Sequence, residues 1–276
     1  MIQFEQEKTR CGTVAIVGRP NVGKSTLMNY ILGEKLSITS AKPQTTRQQI
    51  LGIKTEETTQ TIYIDTPGLP QASKNRLQRS LVRDAINVVA EVDVVGFVIE
   101  AGRWTEADQT ILERLREQNH PVILILNKVD RIKDKTRLLP FMKICAEKMN
   151  FLAMIPLSAQ KGDNIGVLEE TIAHHLPYAK FVYPRDQLSD RSQRFLAAEF
   201  IREKLMRALH KEIPYGVSVV IEQFEEKKRM IHIHAVILAA RLGQKAIIIG
   251  KGGEVLKIIG SQARLDMEAC FKKKYI

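Results

Sequence analysis

The sequence predicts a mostly parallel α/β sheet with one antiparallel edge strand and helices on both faces, followed by a smaller α+β domain. Three observations predict it: short β-branched runs alternate with amphipathic stretches, one pair of runs is joined by a short polar turn, and the pattern changes after a proline-containing break. The strand-length runs are "TVAIV" from Thr13, "QTIYID" from Gln60, "DVVGFVIEA" from Asp93, "PVILILN" from Pro121 and "FLAMIPLSA" from Phe151. Between them, Arg76 to Ala90 sets Leu77, Leu81, Ile86 and Val89 at helical spacing, and Thr105 to Gln118 does the same with Ile111, Leu112 and Leu115. Apolar strands alternating with helices build βαβ units and hence a parallel sheet. "QQILGIKTEETTQTIYID" departs from this pattern, because two strands across a short polar turn form a hairpin and put one antiparallel strand at the edge.

"LPYAKFVYPRDQLSD", Leu176 to Asp190, carries two prolines and no periodicity. The expected organisation is therefore an extension over 1–12, the α/β domain over 13–176, a linker over 177–191 and a second domain over 192–276. That second domain reads as a long helix from Ser192 to His210, strands "GVSVVIEQFEE" and "RMIHIHAVILAA", a short helix, "GKGG" and a helix from Glu254 to Lys274.

Composition narrows the function classes. No apolar run approaches the roughly 20 residues that span a bilayer, and "MIQFEQEKTRCG" lacks a signal-peptide core, so a cytoplasmic location is expected. Cys11, Cys145 and Cys270 are far apart and form no CxxC pair, which argues against disulfides and thiolate metal sites. Net charge is +11, and residues 181–276 hold 18 basic against 11 acidic side chains. Such a bias favours a polyanionic partner.

"GRPNVGKST", Gly18 to Thr26, fits GxxxxGK[ST] directly after a strand and at the start of a helix. Gly18, Asn21, Val22, Gly23 and Thr26 supply the phosphate-cradling backbone, Lys24 reaches the outer phosphates and Ser25 can ligate Mg²⁺. The base is read elsewhere. In "NKVD", Asn127 to Asp130, the Asp130 carboxylate can accept both hydrogens from guanine N1 and N2, with Asn127 and Lys128 beside it. In "SAQKG", Ser158, Ala159 and Gln160 follow another strand, and the Ala159 N–H can meet guanine O6. "DTPG" supplies Asp65 for Mg²⁺ and the Gly68 N–H for a γ-phosphate, flanked by Thr66 and Pro67. "KPQTTRQQ" offers Thr45 and Thr46 as a further Mg²⁺-binding hydroxyl, with Thr46 favoured. The polar stretch Glu34 to Gln49 sits where a GTP-ordered switch belongs.

"IIIGKGGEVLKII" is a different kind of glycine loop. Glu254 stands where a P-loop has Ser or Thr, and the sequence matches the K-homology pattern of apolar residues, GxxG and helix. Such a loop, Gly250, Lys251, Gly252 and Gly253, pinches a nucleic-acid backbone while bases lie across an apolar groove. Lys251 and Lys257 are the expected phosphate contacts, and Ile249 and Val255 line the groove. His232 and His234 alternate with isoleucines on one strand face and read as a polar face.

These motifs, their order, and "PQTTR" with "DTPGL" resemble the Era family of bacterial GTPases over nearly the whole chain. The resemblance implies a GTPase domain followed by a type II K-homology domain that binds small-subunit ribosomal RNA near its 3′ end and assists assembly of the 30S subunit. It implies GTP or GDP with Mg²⁺ as ligands, activation by K⁺ through Asn21, and peripheral contact with the inner membrane surface; a monomer is expected. Leu69 stands where Ras-like enzymes carry a water-orienting glutamine, which implies slow hydrolysis. The family's third K-homology strand is apparently missing, since the sequence stops at "FKKKYI". The competing readings are a metabolic nucleotide hydrolase, a constitutive RNA-binding module and a membrane-surface GTPase.

Overall fold

The computed structural model describes residues 9–39, 49–66, 89–209, 216–227, 230–271 and 274–275. The chain divides into two compact units, one of Met1–Gly33 with Thr46–Asp190, the other of Glu34–Thr45 with Arg191–Ile276.

The first unit is built on a six-stranded sheet in the order β2-β3-β1-β4-β5-β6. Its strands are β1 (Arg10–Val17), β2 (Ile50–Thr55), β3 (Thr59–Asp65), β4 (Val94–Glu100), β5 (Val122–Asn127) and β6 (Ala153–Pro156). All neighbours are parallel except β2 and β3, which form the expected hairpin with Ile50 opposite Asp65. Every residue of β5 is buried, the mark of a central parallel strand covered on both faces. The helices are α1 (Lys24–Leu32), α2 (Glu106–Arg116), α3 (Leu138–Ala146) and α4 (Ile165–His175). Thr105 caps α2 in a reciprocal box with Asp108, so Ile111, Leu112 and Leu115 face a core of Phe97, Leu124 and Leu126. Of the helix expected over Arg76 to Ala90, residues 76–88 lie outside the described residues.

The stretch expected as a linker is hydrogen-bonded along the open edge of β2. The Ile53 N–H donates to the Leu188 carbonyl at 2.9 Å, the Ser189 hydroxyl donates to the Leu51 carbonyl at 2.7 Å, and Gly52 bridges Ser189. Gln60, fully buried in β3, accepts the Val182 and Tyr183 N–H groups at 2.9 Å and donates to the Tyr183 carbonyl at 2.9 Å. An exposed edge strand is thereby covered.

The second unit contains α5 (Gln193–Ala208), β7 (Val217–Lys227), β8 (Met230–Ala239), α6 (Leu242–Ile249), α7 (Glu254–Phe271) and β9 (Lys274–Tyr275). Ser192 caps α5, its hydroxyl accepting the Phe195 N–H at 3.2 Å. β7 and β8 form an antiparallel pair, with His232 opposite Glu225 and His234 opposite Gln223. Two expectations are corrected. The last helix ends at Phe271, short of Lys274, and the third strand exists as a two-residue segment: Lys274 and Tyr275 pair parallel with Met230 and Ile231. The apolar side of α5, including Leu196, Phe200 and Leu205, is buried with Ile259, Ala263 and Met267 of α7 in the core.

Replacing Gln60 with Leu removes the acceptor of the N–H groups of exposed Val182 and half-buried Tyr183, where water can take its place, so each lost bond costs about 0.5–1.5 kcal/mol. Urea unfolding of Gln60→Leu is expected to show a loss of about 1–3 kcal/mol, with faster amide exchange at Val182 and Tyr183.

Candidate nucleotide and nucleic-acid sites

Between β1 and α1 the chain turns through Gly18 to Gly23. A Cβ on Gly18 would lie 2.3 Å from the Val98 carbonyl, and one on Gly23, at φ +104°, would lie 2.3 Å from Asn127 Nδ2. Only glycine lets the ends of β4 and β5 approach this closely. No side chain caps α1, so its first N–H groups suit an anionic group. Lys24 is buried, and its Nζ donates to the Gly18 and Arg19 carbonyls at 3.0 and 3.1 Å. Burial pushes its pKa down to about 8, opposed by the Asp65 carboxylate and aided by the nearby Arg19 cation. The Ser25 hydroxyl donates to Asp65 Oδ2 at 2.9 Å. The two residues nominated for Mg²⁺ thus lie together, and both offer the hard oxygen donors that ion takes. Thr66 donates to the Ile16 carbonyl at 2.8 Å and fixes the chain leaving β3. Val22 is buried and Thr26 half-buried on α1. Thr45, Thr46, Pro67, Gly68 and Leu69 lie outside the described residues.

The base-reading segments converge on the same loop. Asn127 Nδ2 donates to the Val22 carbonyl at 2.7 Å, while its Oδ1 accepts the Ala159 N–H at 2.9 Å and the Lys128 N–H at 2.7 Å. Lys128 adopts φ +66° and extends Nζ to the Asn21 carbonyl at 2.7 Å. The half-buried Asp130 accepts the Ser158 hydroxyl at 2.7 Å, which orients its carboxylate; Gln160 is exposed.

Sequence reasoning missed Arg19, Glu100 and Asp108. The Arg19 guanidinium lies 3.2 Å from Glu100 and 3.3 Å from the fully buried Asp108. Glu100 also faces Lys128 at 3.5 Å. Burial works to raise the Glu100 pKa, but Lys128 and Arg19 together hold it below the usual carboxylate range. Asp108 Oδ2 also accepts the Thr105 hydroxyl at 2.7 Å, so one carboxylate caps α2 and anchors the phosphate loop. A charged residue in "GRPN" and the cap signal in "TEAD" were visible separately; nothing local links positions 89 residues apart.

In the second unit, Gly250 ends α6 at φ +74°, and Gly252 and Gly253 follow at +59° and +80°. A Cβ on Gly250 would lie 2.4 Å from Val255 Cγ2, whereas one on Gly252 meets nothing within 4 Å. Lys251 and Lys257 are exposed and Ile249 and Val255 half-buried. The structure thus brings the seven residues nominated from the sequence onto one loop and the helix turns beside it.

A phosphate-binding lysine must be charged to act. Affinity for GDP is expected to be constant below about pH 8 and to fall above it as Lys24 loses its proton, measured with a fluorescent GDP across pH 6.5–9.5. Arg19→Met is expected to weaken GDP binding about tenfold, or 1.4 kcal/mol, with Arg19→Lys recovering part of the loss.

A family profile described as "50S ribosome-binding GTPase" matches residues 13–128, and one described as "KH domain" matches residues 212–274. The GTPase Era of Pseudomonas entomophila (strain L48) is 52% identical over 270 residues, 98% of this chain and 90% of that one. Among solved structures, Era in complex with MgGDPNP and nucleotides 1506–1542 of 16S ribosomal RNA superposes with TM-score 0.92 at 38% identity, covering 97% of this chain and 91% of that one. A variant of Aquifex aeolicus Era bound to GDP·AlF4⁻ matches with the same TM-score at 37% identity and the same coverage. The GxxxxGK[ST] loop, the NKVD and SAQKG segments and the terminal glycine-lysine loop, with likeness at this level over both units, establish that the chain belongs to the Era family of GTPases.

Proposed function

We propose that this chain is a slowly hydrolysing GTP switch whose second unit binds small-subunit ribosomal RNA near its 3′ end and assists assembly of the 30S subunit. The observation that carries it is the pairing of two glycine loops with different surroundings. Gly18 to Ser25 sits beside Asp65, Asn127 and Asp130, whereas Gly250 to Gly253, carrying exposed Lys251, opens a helix bearing exposed Lys257. A relative of 38% identity has been solved with a GTP analogue and 16S RNA together, which favours the small subunit over the large one in the family profile's description.

In this reading Asp130 selects guanine, because an adenine would leave the carboxylate without its two donors. Lys24 and the N–H groups of the loop hold the β- and γ-phosphates. Ser25 and Asp65, with Thr46, would hold Mg²⁺, which would supply charge neutralisation on the phosphates. Water attacks the γ-phosphorus in line as its bond to the β–γ bridging oxygen breaks, GDP leaves, and the water's proton passes to the released phosphate. Leu69 cannot orient that water, so turnover is slow without further help. Asn21, at φ +65° on the exposed side of the loop, is the residue through which K⁺ would act, and equal rates in potassium and sodium contradict that role. No described helix is long and apolar enough to cross a membrane. The buried apolar side of α5 leaves that helix no face for a bilayer, and the reading is of a cytoplasmic monomer.

The test is affinity for an oligonucleotide from the 3′ end of small-subunit RNA at fixed salt, with GDP and then GDPNP. Binding is expected to tighten with GDPNP and to be lost in Gly252→Asp. That position is open and left-handed, so the change adds charge with little disturbance to packing. Equal affinity in both nucleotide states contradicts the switch, and undiminished binding by Gly252→Asp contradicts the assignment of the loop.

A further inference from the structure

The turn that follows β6 closes on itself. The Gly162 N–H donates to the Ser158 carbonyl at 2.8 Å, the Lys161 N–H to the Ser158 hydroxyl at 3.2 Å, and the Ser158 N–H to the Asp163 carbonyl at 3.2 Å. Side chains from β5 and the segment after it hold its start: Asn127 accepts the Ala159 N–H and Asp130 the Ser158 hydroxyl. Its far end meets Tyr30, in the last turn of α1, the helix that the phosphate loop opens. A Cβ added to Gly162 would collide with the Tyr30 hydroxyl and Cζ and lie 2.9 Å from Cε2, so the ring fills the space that a side chain at 162 would need. Gly162 sits at φ +84°, which favours glycine for a second reason. The Gly33 N–H donates to the Tyr30 carbonyl at 3.1 Å and fixes the turn of α1 from which the ring projects.

Neither the grip on phosphate nor the hydrolysis calls for an aromatic residue here. Tyr30 is 48% exposed, and its hydroxyl bonds no described residue. What it supplies is the packing of a rigid ring against backbone. The turn beneath it carries two groups of the base-reading set, the Ala159 N–H and the Ser158 hydroxyl that orients Asp130. Because the turn's hydrogen bonds are internal, it shifts as one piece. A base held through that piece escapes when the piece moves, and Tyr30 stands against its far end while Asn127 and Asp130 hold the near one.

We propose that Tyr30 is a positioning residue for guanine nucleotides: its ring, packed on Gly162, keeps the Ser158–Asp163 turn in its base-reading position and slows the release of GDP. The inference rests on the reading of Asp130 and Ala159 as the guanine contacts. Tyr30 acts through the turn, so its removal shortens the lifetime of the base contacts and leaves the phosphate grip of Lys24 and Ser25 in place. A residue that merely stabilised the fold would change the fraction of chains that bind, not the rate at which each one lets go.

The test is stopped-flow displacement of a fluorescent GDP from the full chain, the amplitude reporting the binding fraction and the rate constant the release. Tyr30→Ala is expected to speed dissociation about fivefold or more while association stays within about twofold, since lost contacts act mainly on the off-rate. Tyr30→Phe, which keeps the ring, is expected to stay within about twofold of wild type in both. Gly162→Ala, which drives a methyl group into the ring, is expected to speed release more in the wild-type background than in Tyr30→Ala, the non-additivity of residues in contact. Inorganic pyrophosphate, which takes the phosphate loop alone, is expected to compete with the fluorescent GDP equally well in wild type and Tyr30→Ala. A wild-type release rate in Tyr30→Ala overturns the proposal, as does pyrophosphate weakened by the same factor as GDP, which would place the effect in α1 and the phosphate loop. Asp130→Ala separates this inference from the reading beneath it: undiminished GDP affinity in that variant overturns the base-reading assignment, and the role of Tyr30 with it.

Discussion

One buried amide holds the nucleotide site together. Asn127 bonds three backbone groups from three segments: the Val22 carbonyl of the phosphate loop, its neighbour's N–H in the base-reading loop, and the Ala159 N–H after β6. Water does not compete for these bonds, because Asn127 is 2% exposed. An unmade bond here costs its full desolvation penalty. The site's other constraints follow from this placement. Gly23 must lack a side chain because Asn127 occupies the space, and Lys128 takes a left-handed conformation as its side chain reaches back to Asn21. The residues proposed to read phosphate and base therefore meet in one hydrogen-bonded assembly at the ends of β1, β5 and β6.

The two glycine loops show how similar backbone can serve different ligands. Both carry glycines at positive φ, and both open a helix. The first is followed by Ser25, bonded to Asp65, a pair whose oxygens suit a divalent cation. The second is followed by Glu254 in the first turn of α7. A carboxylate there occupies the place where a helix favours an anion and repels a polyphosphate. Lys251 and Lys257, exposed beside it, suit the more widely spaced phosphates of a strand.

Much of this was legible in the sequence because its signals are local. Alternation and β-branching located the strands, the polar turn gave the β2–β3 hairpin, and fixed-spacing motifs gave Lys24, Asp65, Asn127 and Asp130. What escaped were single side chains acting across long separations. Gln60 binds backbone 122 residues away, Glu203 binds Thr39 at a separation of 164, and Arg19 meets Asp108 at 89. No periodicity encodes such contacts. The proline-containing stretch after Leu176 looked unstructured for a related reason: its partners are the free groups of β2, not its own neighbours.

The central claim is that one loop takes a nucleotide and the other a strand of RNA. Calorimetric titration of Mg·GDPNP into the full chain, alone and saturated with the RNA oligonucleotide, tests it most directly. The account requires one nucleotide per chain in both titrations, with no RNA released. Two nucleotides per chain, or nucleotide displacing RNA, would contradict it.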